Sequence, residues 1–310
     1  MSLLIEEVNV GSAREFIRYC QKYGAEHDDS YLPLPGFEPS PVQPSYLLVD
    51  GGEALGAASL LRWERFLSLR KARFSIFHSR LESPEAYRML FEAIRPHLQD
   101  LKSAYLFIPE NKQRTARILE DLGFEIERYS FVLINHRPRF KPLRLPAGAE
   151  IIPLEAGQAQ VIQAFADCLN VNFQHLAGHT ENTAETVSEW FTDELYLQDG
   201  VRMLFVDGKV AGTLWVSREY SDPAMAEISA LSVSPGLRGR GVGRMLLQDG
   251  INFAVERGFE RVVLSVNAEN RKALDLYRSA HFDLEQTVVC YSYNCEGTVR
   301  TENSHTGRHA

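Results

Sequence analysis

The chain repeats itself at a long interval, and that repeat limits its architecture more than any other feature. Val49-Asp50-Gly51-Gly52-Glu53-Ala54-Leu55-Gly56-Ala57 reads like Val206-Asp207-Gly208-Lys209-Val210-Ala211-Gly212-Thr213, with one residue fewer in the second copy. Each segment is an apolar strand, a tight glycine-containing turn and a second strand, the signal of a β-hairpin. Further on, LEDLGFEIER (119–128) parallels YRSAHFDLEQ (277–286): in both, a helix stops and a Phe opens a strand. The offset is about 156–158 residues, far beyond a solenoid period, so the repeat is a pair of domains. A chain of 310 residues has room for two cores of ordinary size.

The junction follows from composition. Residues 136–149 carry prolines at 138, 142 and 146, several basic residues and no apolar period, the character of a stiff linker. This predicts domains over 1–135 and 150–295, with residues 296–310 a polar, aperiodic tail. In the second copy the patterning predicts helices over 158–169, 183–193, 242–257 and 271–280. It predicts a hairpin over 203–219 and strands over 226–233, 261–266 and 287–293. The expected fold class is α/β (α+β), with helices on both faces of a mixed sheet in each copy.

Several functions are excluded early. No apolar run reaches the roughly 18–20 residues that span a bilayer, and residues 1–10 do not read as a signal peptide. A net charge of −8 weighs against wrapping a nucleic acid and suits a cationic or amine-bearing partner. Cys20, Cys168, Cys290 and Cys295 are scattered without metal-ligand spacing, as expected of reduced thiols in a cytoplasmic protein.

The chemistry concentrates in EISALSVSPGLRGRGVGRMLL (227–247). A strand ends at Val233, Pro235 stops it, and a loop with Gly239, Gly241 and Gly243 enters a helix at Val242. Glycines let backbone N–H groups turn toward a ligand, and the helix start adds its unpaired N–H groups and dipole. With Arg238, Arg240 and Arg244, these make a cradle for a pyrophosphate. No Gly-Lys-Ser/Thr marks a nucleotide P-loop, and no acidic residue closes a following strand as a dinucleotide site requires. Glu227, at an interior strand position, reads either as a base or as the partner of an arginine. Alternation would place it on one face with Ser229 and Leu231.

Arg238, Gly241 and Gly243 resemble the Arg/Gln-x-x-Gly-x-Gly/Ala signature of the GNAT acetyltransferases, and Leu231-Ser232-Val233-Ser234-Pro235 resembles the family's preceding strand. Val266 to Tyr277 resembles its second motif, a strand, an Asn-containing turn and a helix reaching Leu-Tyr. The likeness covers most of 150–293. It implies two tandem GNAT folds, each a mostly antiparallel sheet flanked by helices, and an amine attacking the thioester of acetyl-CoA directly, with no metal. Residue by residue it implies that backbone groups of Leu231, Ser232 and Val233 hold the pantetheine arm. Gly239, Arg240, Gly241, Val242, Gly243 and Arg244 would hold the pyrophosphate with Arg238. Asn270 would flank the arm, Tyr277 would protonate the leaving sulfur, and Glu227 would take the proton of the amine. The segment 170–181, with His175 and His179 four apart and able to share a helix face, would border a small-molecule amine acceptor. The family usually has Gly-Phe where His281-Phe282 stands, so His281 would have to adopt a backbone that glycine takes more easily.

The first copy keeps Asn111 and Gly123-Phe124 but has no glycines at the matching loop, Glu82 and Glu85 where phosphates would need positive charge, and Leu119 at the place of Tyr277. It reads as a degenerate copy that helps bury the other, or keeps a pocket for part of the substrate. Competing readings are a protein N-terminal or lysine acetyltransferase, which would show an open acceptor groove, and a non-catalytic acyl-CoA-binding regulatory module. The sequence specifies no oligomeric state.

Overall fold

The computed structural model describes residues 2–296 except Asp29, Leu34, Ala177, Gly178 and Thr180. The tail expected from 296 onward lies outside these residues, apart from Glu296. The first copy runs β1 (Leu4–Glu7), α1 (Ala13–Tyr23), β2 (Ser45–Asp50), β3 (Glu53–Leu61), α2 (Glu64–Leu67), β4 (Lys71–Ser79), α3 (Pro84–Ile94), β5 (Ser103–Pro109) and α4 (Gln113–Asp121). β6 (Phe124–Asn135) leads on to β7 (Ala149–Pro153), α5 (Ala159–Phe173), α6 (Ala184–Glu189), β8 (Tyr196–Val206), β9 (Lys209–Arg218) and β10 (Met225–Val233). α7 (Val242–Glu256), β11 (Arg261–Asn267), α8 (Arg271–Ser279) and β12 (Asp283–Asn294) complete the chain.

Contacts divide the chain into two units, but not at the sequential boundary that composition predicts. The first unit is Met1–Glu127 together with the segment from Val288; the second is Arg128–Thr287. The reason lies in the closing strands. The first unit's sheet, β1-β2-β3-β4-β5, is completed by Val288–Asn294 of β12, which pair with Ser103–Pro109. The second unit's sheet, β7-β8-β9-β10-β11, is completed by Ser130–Asn135 of β6, which pair with Val262–Asn267. Boundaries of 1–135 and 150–295 therefore assign each closing strand to the wrong sheet. In each unit one pair of strands is parallel, β4–β5 and β10–β11, and the other pairs are antiparallel. Nor is 136–149 only a spacer. Asn252 of α7 both donates to the Lys141 carbonyl (2.7 Å) and accepts from the Lys141 N–H (2.9 Å).

Local chemistry accounts for the repeated hairpins. Asp207 and Gly208, and likewise Gly51 and Gly52, have the positive φ that a two-residue turn needs to match the twist of its strands. Ser83 caps α3 by accepting from the Ala86 N–H, with Pro84 in the first turn where its missing N–H costs nothing. In the second unit, Ile162, Phe165, Ala166 and Leu169 of α5 pack with Val187 of α6, Val201 and Met203 on one sheet face. Leu246, Leu247 and Ile251 of α7 pack with Leu274 of α8, Leu214, Val216 and Ile228 on the other. β10 lies between these two layers.

Candidate active site

β10 and β11 run parallel for only three pairs, Met225–Arg261, Ala226–Val262 and Glu227–Val263. Both strands continue beyond them, β10 to Val233 and β11 to Asn267, each still paired on its outer side to β9 or β6. A wedge thus opens on the inner side, where the backbone groups of 228–233 that face β11 have no ladder partner among the described residues. Peptide groups in that position need another partner, whether water or a ligand. Glu227 is the last residue before the opening.

A bulge shapes the wedge. The register with β9 shifts between Ser229 and Ser232, and Ala230 has φ 51°, a left-handed backbone uncommon for a side-chain-bearing residue. The extra residue reverses the alternation. Leu231 and Val233 pack with the α7–α8 layer, and Ala230 packs with the α5–α6 layer. Simple alternation had put Leu231 on the face of Glu227 and Ser229; the bulge moves it to the opposite one. Glu227, Ser229 and Ser232 are instead paired with Ser217, Trp215 and Thr213, which alternate along one face of β9.

The loop after β10 is built to leave backbone exposed. Gly239 and Gly241 have φ 77° and 81°, and nothing stands within 4 Å of where a side chain would begin at either. Gly241 caps α7, whose first turn carries no acidic residue. The first helical N–H groups have no carbonyl ahead of them in the helix and point into this open space. Arg240 and Arg244 are exposed beside it, Arg244 donating to Ser279 Oγ at 3.3 Å. Arg238 is used differently from the other two. It donates through Nε to the Val233 carbonyl (3.0 Å) and through Nη2 to Asn172 Oδ1 (3.1 Å), bracing the end of the strand against α5.

α8 contributes Tyr277 and Asn270. Tyr277 is 6% exposed, and among the described residues its hydroxyl has no hydrogen-bond partner. Burial pushes its pKa up to about 12, so at neutral pH it is a phenol that can donate a proton. Asn270 caps α8, its side chain accepting from the Ala273 N–H at 3.3 Å. His281 takes φ 66°, the glycine-like backbone that the sequence requires of it. His175 and His179 do not share a helix, because α5 ends at Phe173. His175 is exposed, and the half-buried His179 lies against the Phe173 ring, centroids 6.5 Å apart. Asn170 ties the segment's base to Asn182 by a bond in each direction, both 2.8 Å. Among the described residues no group of three His, Cys, Asp or Glu could hold a metal ion, and no helix is long and apolar enough to cross a membrane.

Motif reading missed two features of the α5 side. Trp190 and Trp215 stack at 4.4 Å, and Trp215 pairs with Ser229. Asn172, 3% exposed, occupies the next inward position of the stripe formed by Phe165, Ala166 and Leu169. A polar residue at a core position of an amphipathic helix was the available signal.

Residues 161–282 match the acetyltransferase (GNAT) family, so the chain carries a GNAT acetyltransferase domain, lying within the second unit. Its relatives are more specific. A mycothiol acetyltransferase of Kytococcus sedentarius is 31% identical over 160 residues, which are 48% of this chain and 50% of that protein. The chain thus spans about half the length of that relative. A mycothiol acetyltransferase of Saccharomonospora viridis is 25% identical over 84% of this chain and 87% of its own. Among solved structures, a GCN5-related N-acetyltransferase from Sphaerobacter thermophilus shares the fold, with TM-score 0.69 and 18% identity over 94% of this chain and 96% of that one. A tandem GNAT protein from the clavulanic acid biosynthesis pathway does so with TM-score 0.68 and 14% identity, covering 95% and 99%.

Proposed function

We propose that the second unit moves an acetyl group from acetyl-CoA to a primary amine of a small molecule or peptide, by direct attack of the amine. The observation that carries this reading is the wedge beyond Glu227, which opens between two parallel strands directly ahead of the glycine-capped start of α7. The wedge-facing edge of Leu231, Ser232 and Val233, on a strand whose other edge pairs with β9, offers an extended arm the hydrogen bonds of a missing strand. The open space at Gly239 and Gly241, the N–H groups of Val242 and Gly243, and the charges of Arg240 and Arg244 suit a pyrophosphate. Arg238 holds that loop to the strand, and Asn270 fixes the start of α8 beside it.

Glu227, at the apex of the wedge, accepts the proton of the attacking amine, which must be neutral to react. Tyr277 gives its proton to the departing sulfur; its raised pKa keeps that proton in place until then. His175 and His179 lie on the acceptor side, and relatives named for mycothiol support a small molecule as acceptor. The first unit carries no transfer chemistry. The free thiols, two of them fully buried, support a reducing compartment, the cytoplasm. Tyr277→Phe tests the assignment. The turnover number should fall about a hundredfold or more, with acetyl-CoA affinity little changed. A near-wild-type rate across the pH range would make Tyr277 a packing residue.

A further inference from the structure

A line of hydrogen bonds crosses the second unit from the glycine loop to the bulge, and its direction can be assigned proton by proton. Arginine has only donors, so the amide oxygen of Asn172 must face Arg238 Nη2, 3.1 Å away. That leaves Asn172 Nδ2 to donate to Ser232 Oγ at 2.9 Å, with Cys168 Sγ at 3.3 Å as a second, weaker acceptor. The single proton of Thr213 goes to the Ala230 carbonyl at 2.8 Å. Ser232 therefore donates to Thr213 across their 2.7 Å contact. The chain runs Arg238 to Asn172 to Ser232 to Thr213 to the Ala230 carbonyl, every member donating onward. Asn172, Ser232 and Thr213 are each at most 4% exposed, so water cannot replace a lost link cheaply.

Its two ends are the two places where the site departs from regular structure. One is the loop that enters α7; the other is the left-handed Ala230, whose bulge shifts the register of Ser232 and Val233 on β9 and turns Leu231 to the α7–α8 layer. We infer that Asn172 is a positioning residue for acetyl transfer: it holds the Ala230 bulge and the Arg238 loop in one register. Only a side chain with both a donor and an acceptor can do this, which explains why an Asn stands at a core position of α5. The kinetic part of this inference rests on the proposed transfer; the structural part does not.

Asn172→Asp is the decisive variant, because it keeps shape and volume while turning the donor into an acceptor, with its added negative charge facing the Arg238 cation. The carboxylate still takes Arg238, but it meets Ser232 acceptor to acceptor. Ser232 can relieve that clash by turning its proton around, which forces Thr213 to turn as well and strips the Ala230 carbonyl of its donor. Hydrogen exchange at the Leu231, Ser232 and Val233 amides should accelerate about tenfold or more, as should acetyl-CoA dissociation, while the acceptor KM stays within about twofold. Adding Ser232→Ala to Asn172→Asp removes the clash and lets Thr213 face Ala230 again. The double variant should therefore exchange more slowly than Asn172→Asp alone. Unchanged exchange in Asn172→Asp, or a double variant worse than the sum of the singles, overturns the proposal. Faster exchange in Asn172→Asp, with a wild-type protein that acetylates no amine, would instead overturn the transfer reading and leave the structural role of Asn172 standing.

Discussion

At one position the two units can be compared atom for role. Glu227 is the third and last parallel pair of β10 with β11; Arg73 is the third and last parallel pair of β4 with β5. Their antiparallel partners match as well, Ser217 for Glu227 and Leu61 for Arg73. Where the second unit has a carboxylate at the apex of a wedge, the first has a guanidinium bound in a local cluster. Arg73 pairs with Asp28 at 2.5 Å and lies over the rings of Tyr31 and Phe107. Other positions diverge in the same sense. The seventh residue of α8 is Tyr277, and the seventh of α4 is the fully buried Leu119. α7 starts at Gly241 with no acid in its first turn, whereas α3 starts at Ser83, which takes the Ala86 N–H for itself, and carries Glu85. Hairpin turns, bulge and diverging parallel pair are present in both units. The backbone devices that make the fold are common to both units, while at the positions of Glu227 and Tyr277 the first unit carries side chains that pack, Arg73 and Leu119.

If Arg73 is structural, its loss should cost stability and not rate. Arg73→Gln leaves Asp28 buried without its cation, which typically costs about 3–5 kcal/mol. Urea unfolding should register the loss, and turnover per folded molecule should stay the same. A fall in turnover with unchanged stability would give the first unit a part in the reaction.

The same cluster should make the first unit sensitive to acid. Burial pushes the pKa of His27 down to about 4, and that of His78 also to about 4. Both are neutral in the folded state, while the unfolded chain binds their protons below about pH 6.5. Stability contributed by the neutral rings is thus complete above pH 6.5 and is lost as the pH falls toward 4, by up to about 3 kcal/mol per ring. Asp28, held low by Arg73 against the opposing effect of its own burial, adds a loss in the same direction at lower pH. Replacing His78 with Gln should flatten this dependence between pH 6.5 and 4 in thermal unfolding; an unaltered slope would remove His78 from the account.

Glu227→Gln is expected to act more weakly. It should lower the rate at pH 7 by about tenfold, and much of the loss should return as the pH rises and solvent deprotonates the amine. Loss without recovery would mean that Glu227 binds the ammonium or braces the strand. Full activity, with loss in His175 or His179 variants, would move the base to the acceptor segment.

What was legible in the sequence follows a physical rule. Glycine turns, the helix-start loop and the Phe after each helix are local signals, and they located nearly every element of the second unit. The closing strands were not legible, because β6 and β12 have the same patterning whichever sheet they complete. The Leu231 face was lost to the bulge, since alternation assumes a regular strand and nothing in Ser-Ala-Leu-Ser announces a positive φ. The role of Arg238 was half visible. Its charge was read, but its tie to Asn172 joins residues 66 apart and could not be.

The smallest expected effect returns to a position where the copies differ by one residue in the same backbone. Gly123 (φ 90°) follows α4, and His281 (φ 66°) follows α8. After α8 the stop is complete: the Phe282 N–H reaches the Tyr277 carbonyl (3.1 Å), the His281 N–H reaches that of Arg278 (3.0 Å), and Phe282 packs against the Tyr277 ring at 6.1 Å. This cap locates Tyr277, and all of its bonds are made by backbone, so the exposed His281 side chain adds strain without adding a hydrogen bond among the described residues. His281→Gly removes a left-handed penalty of about 1–2 kcal/mol and gives back part of it as greater freedom of the unfolded chain. The net should be a gain of about 0.5–1 kcal/mol in thermal unfolding, with turnover unchanged because the Tyr277 carbonyl keeps its bond. The reciprocal Gly123→His should cost the first unit a similar amount. A drop in turnover for His281→Gly would mean that the imidazole takes part in the reaction, and the two copies would then differ here in chemistry and not in strain alone.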